Sequence, residues 1–410
     1  MNQKLLKNLF FIVFLAGLGF TLFKLFTSED DKSSNNFLEQ EDIPKTLFSL
    51  LDPKRTGIKF INSMPVDISK GEDVLTYQYY YNGAGVAIGD INNDGLPDIY
   101  FAANKSSNRL YLNQGNMNFK DITFSAKVGS KKYSTGVVFV DINQDGYLDI
   151  YVCNGGNNSD PKERENELYI NNGDLTFSEQ AKKYGLNDSN YSSQAAFFDY
   201  DLDGDLDVYV MNHSTHFKTP IIKILEMSKN KEFLKSTSGK LFKNSNGRFI
   251  DVTDQMGLLK YSFGLGLCIS DINQDGWPDI YVANDFSVPD FLLINNQGKG
   301  FVDQVKENTN QISWFGMGAD IADINNDGFL DIAVLDMAAA DHFRSKTLMA
   351  TMDPKAINYM TDNLGFHHQY MFNSIQLNNG GGYFSNIANL TKTAKTDWSW
   401  AALLADFDND

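Results

Sequence analysis

The chain has 410 residues, of which 42% are hydrophobic and 13% aromatic, enough to bury a substantial core. Its formal net charge of −17 argues against nucleic acid or an anionic membrane surface as a partner, since both require a basic face. Its two cysteines, Cys153 and Cys268, lie in apolar runs far apart in the sequence, which is typical of small buried thiols; a disulfide is the alternative.

The N-terminus predicts export. In residues 1–28, Lys4 and Lys7 precede an apolar run, and acidic residues follow it. This pattern indicates a signal peptide, or a single-pass anchor helix whose residues 9–26 contact the membrane if it is not cleaved. The flanking charges place the N-terminus inside and the rest on the periplasmic or extracellular side. Residues 29–43 are polar and acidic, which predicts a linker. Residues 44–410 are predicted to form the repeat region.

The first repeat contains a loop of nine residues, 90–98. Side-chain oxygens stand at positions 1, 3, 5 and 9, and Gly95 stands at position 6. Ca²⁺ prefers six to eight oxygen ligands, and a glycine at position 6 permits the sharp turn that folds them around one centre. The backbone carbonyl of position 7 is the further predicted ligand, which explains why its side chain varies.

Five complete copies of this loop occur, so we predict five Ca²⁺ sites. Their predicted ligands are Asp90, Asn92, Asp94, Leu96 and Asp98; Asp141, Asn143, Asp145, Tyr147 and Asp149; Asp199, Asp201, Asp203, Asp205 and Asp207; Asp271, Asn273, Asp275, Trp277 and Asp279; and Asp323, Asn325, Asp327, Phe329 and Asp331. A sixth copy begins at Asp406 and the sequence stops within it. On charge count, the third loop is expected to bind most tightly.

Two other interpretations of the loops fit the sequence less well. Asn, Asp and Gly are common in ordinary surface turns, but chance turns would not keep an aspartate at position 9 in all five copies. An EF-hand needs Glu at position 12 and flanking helices, whereas position 12 here is Phe or Val. The flanks are β-branched and aromatic, so the loops are predicted to connect two strands.

Each loop is followed by two further landmarks. One resembles Leu-Tyr-Leu-Asn, as at 110–113, and the other is a Phe followed two residues later by a polar residue, as at 119–121. Each unit therefore predicts four strands, and four strands recurring every 51 to 83 residues are typical of β-propeller blades. A parallel β-helix has shorter coils and fits less well. The predicted fold class is an all-β propeller.

The stretch 85–100 resembles the FG-GAP, or VCBS-type, repeats of integrin α-subunit propellers. The lead-in 56–60, the signature 108–113 and the segment 397–402 resemble the cartilage acidic protein/UnbV group. The resemblance covers roughly residues 46–410. It implies a calcium-binding extracellular propeller, typically of seven blades, so five complete copies and the start of a sixth lead us to expect an incomplete ring with an open edge.

Three long insertions follow the second strand of their units, at 154–166, 212–239 and 337–373. In a blade, the strand 1–2 turns and the strand 2–3 connections lie on opposite faces. We therefore expect the insertions to form a recognition surface for a protein or glycan ligand, on the face opposite the calcium loops. The alternative is that they only cover the blade edges.

The predicted function is an exported calcium-binding scaffold that mediates binding or adhesion at the cell surface, not an enzyme. No common catalytic motif is present, and the pairs His213/His216 and His367/His368 lack a third metal ligand at a typical spacing. The alternative is an enzyme that acts on extracellular polysaccharide through a pair of carboxylates.

Overall fold

The computed structural model describes residues 47–286, 288–347 and 354–408. The chain divides into two compact units, Leu51–Asp406 and a smaller one made of Met1–Leu50 with Phe407–Asp410. In the smaller unit, the described residues form no helix or strand. The predicted signal or anchor segment and the predicted linker lie outside the described residues. Among the described residues, no helix is both long enough and apolar enough to cross a bilayer.

Five four-stranded antiparallel sheets dominate the larger unit, and in each the strands follow one another in chain order. We call them blades 1 to 5. They are β1–β4 (Val86–Gly89, Asp98–Phe101, Arg109–Asn113, Phe119–Asp121), β5–β8 (Ser134–Val140, Asp149–Asn154, Glu167–Asn171, Phe177–Glu179), β9–β12 (Ser192–Phe198, Asp207–Asn212, Lys240–Ser245, Arg248–Asp251), β13–β16 (Gly264–Ser270, Asp279–Asn284, Phe291–Asn295, Phe301–Asp303) and β18, β19, β22 and β23 (Gly318–Ala322, Asp331–Leu335, Ser374–Asn378, Phe384–Asn386). The prediction of four-stranded propeller blades is confirmed.

The remaining elements are short. Strand β17 (Ile312–Ser313) pairs in parallel with β21 (Gln369–Tyr370), and β20 (Met337–Ala338) pairs antiparallel with β24 (Asp397–Trp398). One-turn helices follow the fourth strands of blades 1, 2 and 4, at Thr123–Ala126, Ala181–Tyr184 and Val305–Asn308. A helix at Pro53–Thr56 and a 3-10 turn at Ile68–Lys70 precede the first blade.

The hydrophobic core consists of layers between consecutive blades. Tyr100 and Leu110 of blade 1 pack with Ile150 and Val152 of blade 2, and equivalent clusters join blades 2 and 3, 3 and 4, and 4 and 5. Because each inner blade is covered on both faces, its second strand is buried throughout, as in β6, β10 and β14. This explains why the sequences of the second strands are almost continuously apolar. Both cysteines are free thiols, as predicted, but only Cys153 is buried as expected, and Cys268 is half-buried.

Successive blades approach most closely along their first strands. A Cβ atom on Gly136 in β5 would lie 2.5 Å from the Ser193 carbonyl oxygen of β9. One on Gly266 in β13 would lie 2.6 Å from the Ala319 amide nitrogen of β18. Only glycine fits such close backbone crossings.

Residues 400–404 continue this arrangement beside blade 5. The Trp400 carbonyl lies against Gly318, and the Leu404 N–H donates to Asp320 Oδ2 at 2.6 Å. This segment therefore takes the place of a sixth first strand, directly before the sixth loop predicted at Asp406.

The three insertions connect the second and third strands of blades 2, 3 and 5, as predicted. Residues 154–166 contain a 3-10 turn, Pro161–Arg164. Residues 212–239 contain the helices Ile221–Met227 and Lys231–Lys235. Residues 337–373 contain β20 and β21 together with the helices His342–Thr347 and Pro354–Asn358 and a π-helical turn, Tyr359–Asn363. The insertions lie on the face opposite the strand 1–2 loops, and we call it the insertion face.

The segment before β1 forms turns rather than a strand, and Tyr77, Tyr79 and Tyr80 within it are buried. The Tyr79 hydroxyl donates to Asp285 Oδ2 at 3.1 Å, and its ring meets Phe217 and Phe263 edge to face. The Tyr77 hydroxyl hydrogen-bonds His213 Nε2 at 3.0 Å. This aromatic segment therefore joins the lead-in to blades 3 and 4.

Candidate metal centre

All five aspartate-rich loops connect the first and second strands of their blades, so they share one face of the larger unit. The structure brings the predicted ligands of each loop together at one turn. In every loop, position 9 is the first residue of the second strand; these residues are Asp98, Asp149, Asp207, Asp279 and Asp331.

Position 1 organises the turn. Asp90 accepts from the Gly95 N–H at 2.7 Å and from the Asp94 N–H at 3.2 Å. The other four loops repeat both bonds. Gly95 has a φ of 84°, in the left-handed region, which is why position 6 requires glycine. In loop 5 the Gly328 N–H holds the pKa of Asp323 below its ordinary value, because the bond favours the ionised form.

Positions 3, 5 and 7 close the loop. The Asn92 amide donates to Asp94 Oδ2 at 3.0 Å, and the Leu96 N–H donates to Asp94 Oδ1 at 2.9 Å. Loops 2, 4 and 5 repeat both bonds. The side chain at position 7 packs outside the loop in several blades, as Tyr147 does against Gly173 and Phe329 against Gly380. These contacts order the backbone whose carbonyl the sequence predicts as a ligand.

Position 9 has a second role that the sequence did not indicate. Asp98 is fully buried, and its Oδ2 accepts from the Ile91 N–H at 3.0 Å while its Oδ1 accepts from the Asn113 N–H at 2.7 Å. Every blade repeats this pair of bonds, which ties the loop to the third strand. A carboxylate oxygen can accept more than one bond, so these contacts are compatible with the predicted ligand role.

When no cation is near, burial makes the ionised form of a position-9 carboxylate unfavourable. The pKa of Asp207 and of Asp279 is raised to about 7, mainly by burial and to a smaller extent by the other loop carboxylates, against the lowering effect of the backbone donors. Burial raises the pKa of Asp149 to about 6 for the same reasons. A divalent cation among these oxygens would favour the charged forms instead.

The side-chain oxygens of the third loop are arranged as a metal ion requires. Carboxylate oxygens of Asp199, Asp201 and Asp207 lie within 4.8 Å of one another. Asp201 Oδ1 is buried and has no hydrogen-bond partner, which leaves an anionic acceptor without a donor. An oxygen-only, anionic and partly orphaned set is what a hard cation such as Ca²⁺ binds, so the residues fit the predicted ion.

The asparagines of three of the five Leu-Tyr-Leu-Asn landmarks, those of blades 2, 4 and 5, join neighbouring blades. The Asn171 amide in blade 2 donates to the Ile91 carbonyl in the loop of blade 1 at 2.8 Å, and Asn295 in blade 4 donates to the Tyr200 carbonyl of blade 3 at 2.8 Å. Asn378 contacts the Ile272 carbonyl of blade 4 in the same way, at 3.3 Å. Sequence reasoning used these residues only as repeat markers, although their recurrence at one position was a usable signal.

The histidines that could have formed another metal site are engaged elsewhere. His213 is buried between the Tyr77 hydroxyl and the Ser214 carbonyl, and burial lowers its pKa to about 4. His367 Nε2 hydrogen-bonds the Thr309 hydroxyl at 2.9 Å. In the part of the chain that the structure describes, the one group of three or more His, Cys, Asp or Glu side chains with ligand atoms within 4.8 Å of one another is that of loop 3, and it contains no histidine.

The loops and strands described above resemble a repeat found in known proteins. The family model for the FG-GAP-like repeat matches residues 90–152, 154–210 and 271–334. Together these stretches contain all five loops. The chain contains FG-GAP-like repeats. Its matched stretches start at a loop aspartate in two cases and end inside a buried second strand, so the repeat motif corresponds to the loops and strands described above.

Curated relatives of this FG-GAP-repeat protein include cartilage acidic protein 1 of Xenopus tropicalis, which is 26% identical over 285 residues, covering 66% of this chain and 41% of the relative. Integrin alpha-6 of Gallus gallus and of Homo sapiens are 35% and 37% identical over 86 residues, 18% of this chain and 8% of each integrin. The chain thus spans less than half the length of these relatives.

Two solved structures are also similar. One describes recognition of non-reducing terminal N-acetylglucosamine by an Agrocybe aegerita lectin; it has a TM-score of 0.39 and 17% identity and covers 73% of this chain and 64% of the lectin chain. The other is the V. cholerae biofilm matrix protein Bap1, with a TM-score of 0.35 and 11% identity, covering 63% of this chain and 35% of that chain.

Proposed function

We propose that this FG-GAP-repeat protein is an exported, calcium-stabilised propeller scaffold that binds a ligand at a cell surface. The observation that carries the proposal is the fivefold repetition of one loop geometry, with an orphaned buried carboxylate oxygen in the third copy. An isolated turn would not need three converging carboxylates, whereas a calcium loop does.

In this proposal calcium has a structural role. Side-chain oxygens of positions 1, 3, 5 and 9 and the backbone carbonyl of position 7 hold the ion, and the ion neutralises charge that the fold concentrates in each loop. The position-9 carboxylate is also bonded to the backbone of the third strand, so an ion held in the loop orders that strand as well. Bound calcium therefore stiffens whole blades rather than single turns.

Two lines of reasoning support a location outside the cell. The N-terminal charge pattern predicts export, and calcium is abundant enough outside cells for weak sites to be filled. The similarity to integrin alpha-6 favours an adhesion-type role for the propeller. The insertion face is the proposed ligand surface, for a protein or a glycan, because the long insertions lie together there on a rigid scaffold.

Thermal unfolding tests the metal part of this proposal. Each ion that binds only the native state stabilises it by RT ln(1 + [L]/Kd), so several filled loops raise the midpoint by about 10 °C or more in millimolar Ca²⁺. EGTA should reverse the shift, and Mg²⁺ at the same concentration should give a much smaller one. An unchanged midpoint would mean that the loops are only turns.

A pair of variants makes the test specific to the loops. Asp145→Ala should lower stability more in Ca²⁺ than in EGTA, because it removes a ligand as well as a turn contact. Asp174→Ala is the matched control, since Asp174 lies in a strand 3–4 turn and bonds only Thr176 in its surroundings. Equal losses for Asp145→Ala in both conditions would count against its ligand role.

A further inference from the structure

A polar cavity of about 370 Å³ lies on the insertion face between blades 1 and 2. Four separate segments line it. Residues 70–72 come from the lead-in, residues 104–105 from the β2–β3 connection, residues 131–133 from the connection between the two blades, and residues 155–163 from the first insertion. Its volume is within the range of sites that bind small molecules.

Bonds between these segments hold the cavity in shape. The Asn157 amide of the insertion donates to the Gly71 carbonyl at 3.2 Å, and the Lys132 ammonium donates to the Glu165 carbonyl at 2.8 Å. Arg164 is buried at the base of the insertion and donates to the Ser189 carbonyl at 3.1 Å. The walls are therefore preorganised, which lowers the entropy cost of binding.

The charges that line the cavity are largely compensated. Lys105 pairs with Glu72 at 2.5 Å, Lys70 pairs with Asp67 at 2.9 Å, and Lys132 lies 3.7 Å from Glu167. Lys131 and Glu163 add one charge of each sign. A site for phosphate or another small anion would need cations in excess, so this balance disfavours such ligands.

The lining instead combines donors, acceptors and one aromatic ring. Lysine and asparagine side chains can donate, the Glu72 and Glu163 carboxylates can accept, and the half-buried ring of Tyr133 supplies apolar surface. The Tyr133 hydroxyl is already bonded to the Tyr80 carbonyl at 2.7 Å, which fixes that ring. Donors and acceptors beside a flat apolar ring match a ligand with many hydroxyl groups and C–H faces.

We propose that this cavity binds an uncharged saccharide unit of a surface polysaccharide. The inference rests on the proposed role of the insertion face as the ligand surface and gives that ligand a chemical class. Hydroxyl groups would accept from the ammonium and amide groups and donate to the carboxylates, while the accessible part of the Tyr133 ring would contact a sugar face.

Native affinity electrophoresis of the full chain tests the proposal, with soluble β-glucan, mannan, xylan or anionic polygalacturonate cast in the gel. At least one neutral polysaccharide should retard the protein, and 0.5 M NaCl in a parallel pull-down should not release it, because the interaction is not ionic. Ser159→Trp fills the cavity from an exposed position and should weaken binding by about tenfold or more. Lys162→Trp, next to the cavity but outside its lining, should bind normally.

The alternative outcomes overturn the proposal. Retardation by polygalacturonate alone, abolished by salt, would mean an anion site, and retardation by none of the four, or equal retardation of both tryptophan variants, would mean that this cavity binds no sugar. Both variants should keep the calcium-dependent rise in unfolding midpoint. A normal calcium shift without sugar binding would remove only the saccharide proposal, and sugar binding without a calcium shift would remove only the metal proposal.

Discussion

Lys243 distinguishes the third loop from the other four. Its ammonium group bonds to Asp201 and lies 3.1 Å from Asp203. At the equivalent position the other blades have Leu or Ile, and at position 3 of the loop they have Asn where blade 3 has Asp. The additional carboxylate and the additional lysine thus occur together, and the lysine supplies a positive charge where the other loops use an amide donor.

Lys243→Leu should make the third blade more dependent on calcium. In EGTA the variant loses a counter-charge for two carboxylates, and its free energy of unfolding should fall by about 1–2 kcal/mol. In saturating Ca²⁺ the loss should be smaller, because the ion replaces the ammonium group. Urea denaturation in both conditions measures the difference.

Lys231→Leu is the matched control for this effect. Lys231 pairs with Asp254 at 2.9 Å, away from the loops, so its replacement should have the same small effect with and without calcium. If Lys243→Leu behaves like this control, the lysine does not act in the metal site.

Asp290 in blade 4 is a buried carboxylate at a position where blade 2 has an amide. It accepts from the Asn284 N–H at 2.8 Å and from the Tyr281 hydroxyl at 2.7 Å. In blade 2, Asn166 accepts from the Asn154 N–H at 2.8 Å and donates to the Tyr151 hydroxyl at 3.0 Å. Burial raises the pKa of Asp290 from 3.8 to about 7.

Asp290→Asn should stabilise the protein at pH 8 and have little effect near pH 4. A folded-state pKa above the unfolded value means that the native state binds the proton more tightly, so the stability contributed by this group falls as the pH rises from about 4 through 7. The amide removes that loss. Unfolding midpoints across this range should therefore show a flatter profile for the variant. Asn166→Asp is the reciprocal control and should steepen the profile; parallel profiles for all three proteins would contradict the argument.

At the scale of the elements, the first strands depend on close backbone contact. Gly136→Val would place a side chain against the Ser193 carbonyl of the next blade, so the two blades would have to separate. We expect a loss of about 1–3 kcal/mol or more in the free energy of unfolding, the usual cost of overpacking. Gln194→Ala, at the equivalent position of blade 3 where a side chain is already accommodated, should change stability by less than about 0.5 kcal/mol. Similar values for both variants would show that the crossing is not tight.

The second insertion and the lead-in are held to the blades by side-chain packing rather than by regular secondary structure. Phe217 of the second insertion stacks on Phe263 with ring centroids 5.6 Å apart and meets Tyr79 of the lead-in. The insertion is thus part of the core at its base and a surface structure at its helices. Substitutions intended to probe ligand binding therefore belong on exposed residues such as Ser159 rather than at the base.

In the larger unit, three of the five landmark asparagines connect an aspartate-rich loop to the next blade. Asn295 bonds the Tyr200 carbonyl of the preceding blade, whereas the Asn244 amide donates within its own blade, to Leu206. Asn295→Ala should therefore lower the free energy of unfolding by about 1 kcal/mol more than Asn244→Ala does. Chemical denaturation of both variants measures this difference. Equal losses would mean that this bond between blades contributes nothing to stability.

The sequence by itself determined the repeat unit, its four strands, the loops between the first two strands and the placement of the insertions. These features are local: a nine-residue turn, an alternating or continuous apolar run and a recurring landmark each lie within one stretch of chain. The calcium ligands were proposed from the same local pattern, and calcium binding stays a prediction.

The contacts between blades, and between the blades and the lead-in, are visible only in the tertiary structure. The bond between Tyr79 and Asp285 joins residues 206 positions apart, and the bond between Asn171 and the carbonyl of Ile91 spans 80 positions. The pairing of Lys243 with the third loop and the polar cavity likewise assemble side chains from separate segments. Such contacts follow from the stacking of blades, which brings equivalent positions of successive repeats side by side, and no periodicity within one repeat contains that information.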